Sequence, residues 1–79
     1  MAQLCIESIQ KIRKERNTIH EKVPASFSVF DSDGRKYFQI DTYGRLGREN
    51  PEKISQSLQL DREAAVFLVR LLSQEFNIV

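Results

Sequence analysis

Three aromatic rings, Phe30, Tyr37 and Tyr43, and four cations, Lys36, Arg45, Arg48 and Lys53, are the residues of this chain whose types and spacing suit chemistry, and that chemistry is binding. Rings spread among serine, glutamine and aspartate offer flat faces on which unpaired bases stack, each worth roughly 1–3 kcal/mol, while nearby cations hold phosphates. No catalytic constellation is present in the sequence. The single histidine, His20, stands beside Glu21 and Lys22, and with Cys5 it falls short of the four ligands of a structural zinc. Asp31-Ser32-Asp33-Gly34 opens like a calcium loop but lacks the later spacing and the terminal glutamate. No serine lies in a nucleophile elbow. The expectation is a protein that is not an enzyme and takes no cofactor or metal.

The elements that must position these rings are strands. From Lys36 to Tyr43, Phe38, Ile40 and Thr42 alternate with Tyr37, Gln39, Asp41 and Tyr43 at the strand period of two. Upstream, Ser26-Phe27-Ser28-Val29-Phe30 leads into Asp33-Gly34, a strong hairpin signal between two alternating runs. With those two residues as the loop, Phe30 faces Tyr37, Val29 faces Phe38, Ser28 faces Gln39 and Phe27 faces Ile40. One face then collects Phe27, Val29, Phe38 and Ile40. The other collects Ser26, Ser28, Phe30, Tyr37, Gln39, Asp41 and Tyr43, and a slip of one residue would destroy the sorting. Ile54 to Leu60 reads as a third strand, with Ile54, Leu58 and Leu60 on the core side, Gln56 an exception there, and Ser55, Ser57 and Gln59 opposite.

Helices are expected on both flanks. Residues 2 to about 17 place Cys5, Ile9, Ile12 and Arg16 at helical spacing, with Leu4 and Ile6 widening the stripe, Cys5 as a packing residue and a charged outer face. Asp61 caps a helix from Arg62 to about Phe76, with Glu63 in its first turn. Ala65, Leu68, Val69, Leu72 and Phe76 form its core stripe, while Val66, Phe67 and Leu71 leave a second apolar side for a dimer or partner interface. The predicted architecture is α+β, a three-stranded antiparallel meander with N-terminal and C-terminal helices on one face, in the order α-β-β-β-α. Between the second and third strands runs a loop with two glycines, a proline and three cations, Arg45, Arg48 and Lys53.

With 79 residues the chain is read as one domain, 1–79, and a domain this small buries only about 60–65% of its unfolded surface. A homodimer or a larger partner would relieve that shortfall. The formal charge is +1, with the basic surplus at the N-terminus. One cysteine cannot close an internal disulfide, and no stretch has the pattern of a signal peptide or membrane span, so a cytoplasmic protein without a membrane partner is expected.

The run Tyr37-Phe38-Gln39-Ile40-Asp41-Thr42-Tyr43, the polar Gly/Pro/Arg loop, Lys53-Ile54-Ser55 and the acid-capped helix resemble the second half of the positive-cofactor-four type of transcriptional coactivator, a single-stranded DNA-binding fold. The resemblance covers about half the chain. It implies that Tyr43 and Lys53 lie near nucleic acid, that Arg45 and Arg48 belong to the binding loop, and that the last helix dimerises. Departures are the three predicted strands where the family has four, the shorter loop and the missing glycine after the lysine. Two readings follow. One is a regulatory domain that binds single-stranded DNA or RNA as a dimer through Phe30, Tyr37 and Tyr43 with Lys36, Arg45, Arg48 and Lys53. The other is a protein-interaction module, an accessory or inhibitory subunit of a bacterial or phage assembly, which the near-neutral charge suits.

Overall fold

A computed structural model describes residues 1–44 and 53–78. Its elements are β1 (Ala2–Gln3), a 3-10 turn (Ile6–Ser8), β2 (Ala25–Ser32), β3 (Arg35–Tyr43), β4 (Ile54–Leu60) and α1 (Arg62–Phe76). The β2–β3 hairpin has the register that the hydrophobic pattern demands: Phe27 pairs with Ile40, Val29 with Phe38 and Phe30 with Tyr37. Asp33 and Gly34 both take positive φ, 52° and 77°, which matches the type I′ turn whose twist suits adjoining strands. β4 adds antiparallel to β3, with Gln39 opposite Gln59 and Asp41 opposite Ser57.

The sheet corrects the three-stranded, two-helix expectation. It has four strands in the order β1-β4-β3-β2 and is mixed, because β1 pairs parallel to β4. The described residues contain one α-helix, α1, and the expected N-terminal helix does not form. The physical reason lies at the β4 edge, whose backbone groups otherwise have no strand beside them. Ala2 and Gln3 take up that pairing opposite Leu58 and Gln59, and the Leu4 N–H donates to the Gln59 carbonyl at 3.0 Å. A lone helix of some sixteen residues is only marginal in water, so sheet pairing overrides its weak propensity.

Cys5 is consequently exposed rather than packed, and residues 9–24 hold no helix or strand. Lys11 Nζ lies 3.6 Å from Glu75 Oε1 on α1, a contact open to water. The segment rejoins the sheet where the Tyr43 N–H donates to the Pro24 carbonyl at 2.9 Å. A second correction falls at the start of β4: the register shifts so that Tyr43 pairs with Ile54 and Ser55 is the extra residue. Ile54, expected on the core face, is exposed.

α1 follows β4 directly. The Asp61 carboxylate accepts from the Ala64 N–H at 2.8 Å, and Asn77 closes the other end in the left-handed region. Ala64 is fully buried, and Ala65 borders a cleft with Val29, Phe38 and Leu60 on the apolar face of the sheet. The helix covers the β4 side of that face. Phe27 and Val29 on β2 remain 70% and 54% exposed, and Val69 and Phe76 on α1 remain 65% and 69% exposed. Among the described residues, Leu60 and Ala64 are the buried apolar side chains.

Candidate nucleic-acid interface

The opposite, polar face of the sheet is set by the alternation in β2 and β3. Phe30 and Tyr37, directly opposed, stack with ring centroids 5.5 Å apart and planes inclined by 21°. Pairing them across the strands braces both rings, each covering part of the other and keeping an outer face. Six residues along β3, about 20 Å at the strand rise, Tyr43 supplies the next ring. Its hydroxyl shares a 2.8 Å hydrogen bond with Ser26 Oγ on β2, which ties the ring to the sheet.

Between the two aromatic positions runs a ladder of polar side chains. Gln59 Nε2 donates to Gln39 Oε1 at 2.8 Å, Gln39 Nε2 donates to Asp41 Oδ1 at 2.9 Å, and Ser57 Oγ donates to the same Asp41 oxygen. Ser57 is buried and its hydroxyl is satisfied there. Every donor in the ladder points its proton toward Asp41, so the carboxylate is held in place by two strands. No family model matches the chain, and no curated protein or solved structure matches it.

Of the residues expected at a nucleic-acid site, Phe30, Tyr37 and Tyr43 share this face, at the two ends of the ladder. Lys36 is exposed at the hairpin end, but one residue from Tyr37 it belongs to the opposite face, across from Asp31 and beside the start of α1; Arg35, also exposed, is the cation that shares Tyr37's face. Lys53 is exposed at the other end, just before β4. Arg45 and Arg48 lie outside the described residues. Exposed cations, Arg35 and Lys53, thus stand at the two ends of this face, and the one carboxylate of the ladder lies between them.

The ladder itself is what the sequence reading missed as a site. Gln39, Asp41, Ser57 and Gln59 were legible as polar positions, yet their joining depends on the β3–β4 register, which no tight turn specifies. The expected interface residues Val66, Phe67 and Leu71 line a groove of about 450 Å3 with Ile6, on the side of α1 next to the 3-10 turn. Phe67 and Leu71 are half-buried there. Val69, Leu72 and Phe76 are the more open apolar stripe, and each stays exposed.

The described residues hold no group of three or more His, Cys, Asp or Glu placed to bind a metal ion. No helix among them is long and apolar enough to cross a membrane.

Proposed function

We propose that this chain is a small non-enzymatic regulatory domain that binds single-stranded nucleic acid on its polar sheet face and acts as a dimer closed over its apolar face. The observation that carries the reading is the Phe30–Tyr37 pair, two stacked rings on an open sheet face with Arg35 next along that face and Lys36 at the same strand end. Single strands leave their bases free to stack on such rings, whereas a duplex hides them, so the reading predicts a preference for single-stranded or locally melted substrate.

The other face supports the dimer. A folded 9.2 kDa monomer is expected to expose about 4,900 Å2, and this chain exposes 7655 Å2. Part of that excess belongs to residues 9–24, and part is apolar. Ala65 faces the Val29–Phe38–Leu60 cleft, and its helical stripe continues through Val69, Leu72 and Phe76. With Phe27, Val29 and Ile40 this stripe offers on the order of 600 Å2 of apolar side chain, close to the ~800 Å2 each partner contributes to a stable interface. A second copy brings the same stripe and the same open strand, so each helix can seat on the other chain's β2–β3 half, the self-complementarity of a two-fold dimer.

The test is the mass in solution by sedimentation, followed by titration with fluorescent single-stranded and duplex oligonucleotides at rising salt. A dimer that prefers single strands, with affinity falling steeply as salt displaces its phosphate contacts, supports the proposal. The apolar stripe also favours the second reading, docking on a different protein. A monomer indifferent to both oligonucleotides would move the weight there.

A further inference from the structure

We infer that Asp41 is a base-selecting acceptor, favouring nucleobases with an exocyclic amino group, such as cytosine, over thymine; the inference rests on the single-strand reading above. Both hydrogen bonds to this carboxylate, from Gln39 Nε2 and Ser57 Oγ, end on Oδ1. Among the described residues nothing donates to Oδ2, so within the ladder that oxygen is the acceptor left over. An ionised carboxylate oxygen accepts hydrogen bonds and cannot donate one.

Position gives that acceptor its meaning. Asp41 lies on β3 between Tyr37 and Tyr43, on the face that carries the Phe30–Tyr37 stack and the Ser26–Tyr43 hydrogen bond. A strand whose bases stack on the two ring positions has its intervening bases over the ladder. Phosphates are repelled from the centre by the carboxylate and attracted to Arg35 and Lys53 at the ends, so bases rather than backbone meet Asp41. Cytosine presents an amino group, the usual partner of a carboxylate in base readout, whereas thymine presents carbonyl oxygens on either side of its one ring N–H. Gln59 Oε1, which also has no donor among the described residues, extends the same acceptor character along the ladder.

The decisive variant is Asp41→Asn. Its carbonyl oxygen can still accept from Gln39 and Ser57, so the ladder keeps its bonds, while the outer oxygen becomes an amide that donates. The experiment titrates wild type and D41N with fluorescent dodecamers of deoxycytidine and of thymidine in one low-salt buffer, with circular dichroism confirming the fold. The wild type is expected to bind the cytosine strand about tenfold more tightly, and D41N is expected to lose or reverse that preference. Equal binding of both strands by the wild type, or an unaltered preference in folded D41N, overturns the assignment to Asp41 while leaving the stacking reading standing. If neither strand binds, both ideas fall together.

Discussion

Phe30 and Tyr37 stand directly opposite each other across the β2–β3 hairpin, their rings stacked with centroids 5.5 Å apart, so that two strands brace one aromatic pair. Stacking needs the ring and not the phenol. Tyr37→Phe should therefore bind single strands like the wild type, and Tyr37→Ala should lose roughly tenfold, in line with ~1–3 kcal/mol per stacked base. Because each ring braces the other, Phe30→Ala combined with Tyr37→Ala should cost less than the sum of the two. Unchanged affinity in folded Tyr37→Ala, measured by fluorescence anisotropy, would remove stacking at this position.

The hairpin turn offers a stability test independent of any ligand. Gly34 has φ of 77°, and a Cβ built there meets nothing within 4 Å. Any cost of Gly34→Ala is then backbone strain in the left-handed region without a steric clash, about 1 kcal/mol. Urea unfolding should show a lower midpoint with an unchanged slope. A loss of several kcal/mol would mean that the turn is packed in a way the free space around Gly34 contradicts.

How far the sequence led can be read from individual residues. Asp33-Gly34 and the alternation around it specified β2, β3 and their register, because a two-residue turn and a sorted face leave one arrangement. Asp61 likewise marked the start of α1. The N-terminus was misread because Leu4, Cys5, Ile6 and Ile9 satisfy helical spacing locally, whereas Ala2 and Gln3 are drawn to a strand edge that exists only once β4 is folded. The polar ladder stayed hidden for the same reason: Gln39 and Gln59 are twenty residues apart and meet only through a register set after the long loop.

The cap at Asp61 should be worth about 1 kcal/mol, since its carboxylate satisfies the Ala64 N–H at the start of α1. Asp61→Ala should lower stability by that amount, and Asp61→Ser should recover most of it, because a serine hydroxyl can accept from the same N–H. Thermal or urea unfolding of the three proteins at one protein concentration makes the comparison. Equal stability of the alanine variant and the wild type would show that the helix is held by packing alone.

The strongest test of the dimer is a charge placed on the open helical stripe. Val69 is 65% exposed in the single chain, so Val69→Glu disturbs little of the monomer's own packing, and glutamate is a better helix former than valine. In a dimer the same carboxylate would be buried against Phe27 and Val29 of a second copy with no partner charge, at a cost of several kcal/mol. The wild type should therefore sediment as a dimer and melt at temperatures that rise with protein concentration, as linked folding and association require. Val69→Glu should sediment as a monomer, keep its helical signal and lose the concentration dependence. A wild-type mass shared by Val69→Glu would place the dimer elsewhere. The groove lined by Val66, Phe67 and Leu71 would be the next surface to charge, because Phe67 and Leu71 are only partly covered by the 3-10 turn.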